Sequence, residues 1–181
     1  MKRLIKKLLS KLGLYHQIDY CSVDYLRSQG VSIGDNVDII NSQIDGDHGF
    51  LISIGNNVTI TNAMLLSHDA STKKALGYTK VGRIDIGNDV FIGAKSVILP
   101  NVRIGNKVII GAGTIITRDI PDNSVVVGNP CQVVCSYDRY IEKHSRNMET
   151  APIYHTYAPD KTDTEKDQMK QELLGKIGYD L

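Results

Sequence analysis

The chain has 181 residues, a length that suits one domain with a sizeable core. Its formal net charge is +1, so no global field points to nucleic acid, and a nucleic-acid partner is not expected. Hydrophobic residues make up 41% of the chain with no Trp and two Phe, so its core has to be aliphatic. Cys21, Cys131 and Cys135 are odd in number and form no CxxC pair. That argues against a disulfide framework or a cysteine zinc site, and fits reduced thiols in the cytoplasm.

Residues 1–14, MKRLIKKLLSKLGL, place Leu4, Ile5, Leu8, Leu9 and Leu12 on one helical face. Lys2, Arg3, Lys6, Lys7 and Lys11 lie mostly on the other. The pattern predicts an amphipathic helix. Its apolar face serves either to cap an open core, within a capping segment of residues 1–30, or to make a peripheral contact with the inner membrane surface. Lysines interrupt the apolar residues, so the segment lacks the apolar run of a signal peptide. No stretch approaches the about 20 apolar residues that span a bilayer.

From Ile86 the chain reads IGNDVF, IGAKSV, ILPNVR, IGNKVI, IGAGTI and ITRDIP. Each hexapeptide starts with Ile, at positions 86, 92, 98, 104, 110 and 116. The fifth positions are Val90, Ser96, Val102, Val108, Thr114 and Ile120. Weaker copies precede them, at Ile33 and Ile39 and at Ile54, Val58, Ile60 and Met64. A late copy, VGNPCQ, begins at Val127, which puts Cys131 at an inward position, as an inert packed thiol. A period of six suits a short strand followed by a corner, with Gly, Asn or Asp after the inward Ile tolerating left-handed backbone angles. Three such faces close a triangular turn of about 18 residues, and turns stack into a solenoid. Helical periodicity is absent here. The expected class is all-β, a parallel β-helix over residues 31–135.

The register slips twice, across the 15 residues from Ile39 to Ile54 and the 20 from Leu66 to Ile86. Such slips mark loops that leave the coil, often on the binding face. The second contains the polar excursion 69–83, DASTKKALGYTKVGR, whose Lys73, Lys74, Tyr78 and Lys80 read as a solvated loop or an acceptor contact. After the coil comes a tail, residues 136–181. Its first part, 136–160, reads as irregular and Tyr-rich. Thr162 and Glu165 then form a capping-box pattern before a helix carrying Met169, Leu173 and Leu174 on one side.

Of the five histidines, His16, His48, His68, His144 and His155, only His68 stands at the end of a coil strand just before the long excursion. A histidine is the side chain best matched to proton transfer near pH 7. Asp69 follows directly, but neighbours on an extended chain point to opposite sides, so a loop hydrogen bond suits it better than orienting His68. His48 in DGDHGF is either an exposed turn residue or part of an acceptor pocket.

The run IGNDVFIGAKSVILPNVRIGNKVIIGAGTIITRDIPDNSVVVGNP resembles the C-terminal half of hexapeptide-repeat acetyltransferases. In style it is similar to maltose and galactoside acetyltransferases and to the O-acetyltransferases of bacterial polysaccharide gene clusters. The polysaccharide subgroup is matched also in SHDASTKKALGYTKVGR and IEKHSRNMETAP. The resemblance implies a left-handed β-helix, a homotrimer with sites at subunit boundaries, acetyl-CoA as donor and a sugar hydroxyl as acceptor. It implies His68 as catalytic base and Asn41 as a contact to the acceptor or reaction centre. It also implies Gly93, Ala94, Gly111, Ala112, Thr117 and Arg118 as the acetyl-CoA contacts. Where the family commonly has an Arg after GNP, this chain has Gln132, leaving Arg118 or Lys107 to meet the CoA phosphates. N-acetylation of an amino sugar and a non-catalytic scaffold remain as alternatives. A γ-type carbonic anhydrase needs three zinc-bound histidines. His48 and His68 have no third histidine at matching spacing, so no metal is expected.

Overall fold

A computed structural model of the chain describes residues 22–181, which form two compact units, one ending at Cys135 and one covering Ser136–Leu181. The amphipathic helix expected at residues 1–14 lies outside the described residues. Among the described residues no helix is long and apolar enough to cross a membrane.

The first unit opens with a short helix, α1 (Val23–Ser28), whose N-cap Ser22 accepts from the Tyr25 N–H. Leu26 on this helix is 1% exposed and sits in the same core cluster as the coil. Three short strands then make one turn: β1 (Ser32–Ile33), β2 (Val37–Ile40) and β3 (Gln43–Ile44). A second turn follows with β4 (Ile52–Ile54), β5 (Val58–Thr61) and β6 (Met64–Leu65). The excursion after it carries β7 (His68–Asp69), α2 (Lys73–Leu76) and β8 (Lys80–Val81), with β7 and β8 antiparallel. The third turn is β9 (Ile84–Ile86), β10 (Val90–Ile92) and β11 (Val97–Ile98). The fourth is β12 (Val102–Ile104), β13 (Val108–Ile110) and β14 (Ile115–Ile116). Strands of like position stack in parallel, giving three sheets: β1-β4-β9-β12, β2-β5-β10-β13 and β3-β6-β11-β14. The strand β15 (Ser124–Val127) continues the second sheet, and β16 (Gln132–Cys135) turns back antiparallel on it after a cis Asn129–Pro130 bond.

The core is the stack of inward aliphatics. Ile84, Ile92, Ile98, Ile110 and Ile116 are each 0% exposed, and burying such a side chain stabilises by roughly 1.5–3 kcal/mol. Ser96 and Thr114 take inward corner positions at 0% exposure, with both hydroxyls donating to the Gly111 carbonyl. At another corner the side chains of Asn56, Asn88, Asn106 and Asp122 each accept the backbone N–H of the coil before, from Asp35, Asn56, Asn88 and Asn106. Corner amides that the strands leave unpaired are satisfied this way.

Three expectations need correction. The left-handed residue at this corner is the fourth of the repeat, Asn57, Asp89 or Lys107, and not the residue after the Ile. The Gly after Ile86 is there for space: a Cβ on Gly87 would sit 2.7 Å from the Gly105 carbonyl oxygen. Met64 is not an inward residue. Ser96 is level with Ala63 and Ile98 pairs with Leu65, so Leu65 (0% exposed) fills the core, and this repeat is one residue short. Likewise Val126, paired with Ile110 and 0% exposed, is the inward residue of β15, while Val127 faces out at 40%. The antiparallel return after Pro130 breaks the coil period there, yet Cys131 is still buried at 1%.

In the second unit, α3 (Tyr137–Met148) starts at N-cap Ser136 and occupies what reads in sequence as an irregular stretch. Tyr137, Tyr140, Ile141, His144 and Met148 recur at helical spacing, and aromatic residues replace the aliphatics that make such a stripe obvious. β17 (Ile153–Tyr154) pairs in parallel with β18 (Tyr179–Asp180), and between them α4 (Asp163–Glu172) begins with the full Thr162–Glu165 capping box. Met169 and Leu173 are half-buried, but Leu174 lies past the end of the helix and is 73% exposed. Lys161, 7% exposed, pairs with Asp180 and ties the start of α4 to β18.

Candidate active site

Both breaks in the repeat leave the coil at one corner, between the third strand of a turn and the first strand of the next. The offset between equivalent residues of neighbouring coils is 18 where the coil is unbroken, as from Asn88 to Asn106. It is 21 across the first loop, Asn36 to Asn57, and 32 across the second, Asn56 to Asn88. Those two turns are therefore three and 14 residues longer than the undisturbed pitch, and their loops stand one coil apart on the same edge.

The first loop supplies Asp45 and His48, and the second supplies Ser67 and His68. The Asp45 side chain is only 4% exposed. Its Oδ2 accepts the Ser67 hydroxyl at 2.7 Å and pairs with His68 Nδ1 in a short contact. Burial pushes the Asp45 carboxyl up. Hydrogen bonds from Ser67 and His68, the attraction of a charged His68 and the His48 backbone N–H outweigh it, and hold the group below the usual carboxylate range. A carboxylate on Nδ1 keeps the proton there and leaves the Nε2 lone pair free, which is the tautomer a base requires. The His68 ring is 36% exposed. Beside it lies a cleft of about 340 Å³ whose lining includes Tyr25, Gln29, Gln43, Asp45, Asp47 and His68.

His48 stands over the pair. Its ring centroid is 5.0 Å from that of His68, and its Nδ1 is 3.9 Å from Asp45 Oδ2, buried and without a hydrogen bond. Asp69 does not orient His68. It pairs with Lys80 at 2.6 Å and accepts the Ser71 N–H, and these bonds hold its carboxyl down to about 2.

The other residues singled out in sequence do not gather around His68. Asn41 lies at the exposed corner between β2 and β3 with φ 48°, stacked under Asn62, whose N–H donates to the Ile40 carbonyl. Among the described residues no hydrogen bond joins it to Asp45 or His68. Gly93–Ala94 and Gly111–Ala112 follow β10 and β13 on that same corner, Gly93 donating to the Ile110 carbonyl and Gly111 to the Val126 carbonyl. Thr117 and Arg118 follow β14 and so share the corner of His68, two coils further on. Both are exposed, and Arg118 donates to the Cys131 carbonyl at 2.7 Å. Asp45 is the residue that sequence reasoning missed. The signal was present in the two slips: each falls after the third strand of its turn, which makes the two loops neighbours in space.

A carboxylate-held imidazole at the loop corner of a hexapeptide coil is the candidate site, and comparison with known proteins gives the class of the chain. Residues 83–118 match the family described as "Bacterial transferase hexapeptide (six repeats)". Over 156 residues the chain is 40% identical to Protein CapG of Staphylococcus aureus, covering 82% of this chain and 86% of that protein. It is similar to the structure of a maltose O-acetyltransferase from Clostridium difficile 630, with 29% identity, a TM-score of 0.51 and coverage of 74% and 85%. It is also similar to a galactoside acetyltransferase in complex with coenzyme A, with 26% identity, a TM-score of 0.51 and coverage of 78% and 83%. The chain belongs to the hexapeptide-repeat acetyltransferase family and is an acetyltransferase, and its coil is the left-handed β-helix of that family.

Proposed function

We propose that this chain is an acetyl-CoA-dependent O-acetyltransferase that acts on a sugar hydroxyl in bacterial surface polysaccharide synthesis. The observation that carries the reading is the Asp45–His68 pair, a buried carboxylate on Nδ1 of a half-exposed imidazole at the mouth of a cleft. An alcohol is a poor nucleophile at pH 7, and His68 Nε2 takes its proton as the oxygen attacks the thioester carbonyl. The imidazolium, whose charge Asp45 stabilises, then gives that proton to the departing sulfur, and CoA leaves as the thiol. The donor's coenzyme A portion is the natural occupant of the small-residue corner and of Thr117 and Arg118. The acceptor is drawn from sugars and polysaccharide precursors, a choice supported by the likeness to the maltose O-acetyltransferase and by the motifs of residues 67–83.

The coil, 31–135 with its excursion at 69–83, is the catalytic domain in this reading, with 1–30 as cap and 136–181 as tail. Placement of the small residues supports a homotrimer. Gly93, Ala94, Gly111 and Ala112 lie on one edge of the third sheet and His68 on the other, on the order of 15 Å across a strand face. A donor lying along one chain's small-residue edge meets the base of a neighbouring chain. The free thiols of Cys131 and Cys135 suit a cytoplasmic enzyme, and the basic, Leu-rich sequence of residues 1–14 suits peripheral contact with the inner membrane surface. The test is CoA release from acetyl-CoA across a panel of sugar acceptors, with alkaline lability of the product to identify an ester. His68→Ala should lower turnover by about 10²–10⁴-fold while acetyl-CoA still shifts the melting temperature. Near-wild-type turnover in that variant overturns the assignment.

A further inference from the structure

We infer that Asp45, His48 and His68 form a site for a divalent transition-metal ion, and that the ion switches the acetyltransferase off. Three ligand atoms converge there: Asp45 Oδ2, His48 and His68 each offer one, all within 4.8 Å of one another. The His48 Nδ1 is buried, makes no hydrogen bond and stands 3.9 Å from Asp45 Oδ2. A buried ring nitrogen without a partner is uncommon, because its desolvation goes uncompensated. A metal ion supplies the partner. A tetrahedral ion with ligands at about 2.0–2.2 Å holds its donors roughly 3.3–3.6 Å apart, so His48 Nδ1 has to draw in from 3.9 Å while the hydrogen-bonded Asp45–His68 pair opens to admit the ion.

The donor set selects the ion. Two imidazoles and one carboxylate suit Zn²⁺, Co²⁺ or Ni²⁺, whereas Mg²⁺ and Ca²⁺ take oxygen ligands. The side chains of His48 and His68 are 31% and 36% exposed, which opens a route from solvent. Sequence spacing pointed away from a metal because a third histidine is missing. In the folded chain a carboxylate fills that place.

The consequence follows from the imidazole's two nitrogens. With Asp45 on Nδ1–H, the proton stays on Nδ1 and Nε2 is a base. With a metal on Nδ1, that nitrogen gives up its proton and the neutral ring carries it on Nε2 instead. No net proton leaves the ring, but Nε2 has lost the lone pair that accepts the hydroxyl proton. The same three residues therefore hold either a poised base or an ion, never both. Inhibition rests on His68 being the base; binding of the ion does not.

The test uses the full chain, stripped with a chelator and titrated with Co²⁺, read by its visible ligand-field absorption, and with Zn²⁺ against a chromophoric chelator. One ion per chain is expected. Loss of a partner outside the ligand shell alone weakens metal sites by about 10–100-fold. His48→Gln and His48→Ala should therefore weaken binding by at least about 100-fold, with melting curves confirming that each variant is folded. His155→Gln, a change outside the cluster, should leave affinity unaltered. Acetyl transfer should fall as the site fills and return on adding chelator. Absence of stoichiometric binding up to about 1 mM Zn²⁺, or equal affinity in the His48 variants, overturns the site. A filled site with undiminished transfer overturns its inhibitory role. If His68→Ala is inactive while Co²⁺ fails to bind, the base stands and the metal site falls. If that variant is active while the wild type binds Co²⁺, the reverse holds.

Discussion

Asp45 and His68 stand 23 residues apart in the chain and meet through one carboxylate oxygen and Nδ1. They meet because each opens a loop at the same corner of successive coils. Replacing Asp45 by Asn keeps the shape and inverts the hydrogen bond: the amide donates to Nδ1 and drives the ring proton to Nε2. Asp45→Asn should lower kcat by about 10²–10⁴-fold with little change in KM for acetyl-CoA. Steady-state kinetics on the folded variant check this, and an unchanged kcat removes Asp45 from the mechanism.

The same carboxylate sets a pH dependence of stability. Its folded-state pKa lies below the ordinary value of 3.8, so the unfolded chain binds the proton first. The stabilisation is complete above pH 3.8 and disappears as pH falls through the folded value. Melting temperatures of wild type and Asp45→Asn should differ at neutral pH and converge below about pH 4. A gap that is constant down to pH 3 contradicts the ionised, hydrogen-bonded Asp45.

The packing role of Gly93 and Gly111 separates by experiment from the acetyl-CoA contact proposed for them. A Cβ on Gly93 would sit 2.7 Å from the Ala112 backbone nitrogen, while one on Gly111 would meet the Val127 Cγ1 at 2.8 Å. Backbone gives way less readily than a side-chain methyl. In the absence of any CoA, Gly93→Ala should destabilise by about 1–3 kcal/mol and Gly111→Ala by less. Denaturant unfolding measures both, and the reverse order contradicts the stacking seen here.

Asn41 poses the same kind of question. At φ 48° its backbone is left-handed, a conformation that costs most other L-residues about 1–2 kcal/mol. Asn41→Ala should lose about that much stability and Asn41→Gly very little. If the Asn41 amide contacts the acceptor, Asn41→Gly should fold normally yet raise KM for the sugar. Wild-type kinetics in Asn41→Gly would leave the residue as a corner of the coil alone.

The third and fourth coils are legible in sequence because Ile recurs at every sixth position with nothing inserted. The first two are blurred by five-residue spacings, Ile39 to Ile44 and Ile60 to Leu65, where Ser42 and Ala63 take the inward corner. Helix α3 escapes notice because its stripe is Tyr and His. His68 is conspicuous as the last residue before a long break. Asp45 is not, because its proximity to His68 exists only once the coils are stacked and the first slip is assigned to a corner.

The pitch of the stack is blind to what happens between leaving and rejoining a corner. Ile54 pairs with Ile86 across 14 extra residues with the same register that joins Ile86 to Ile104. Loop length at that edge is thus a free variable of the architecture. A chain with this coil can vary residues 69–83 in length and sequence and keep Asp45, His48 and His68 at their corner, while its folding problem stays the same.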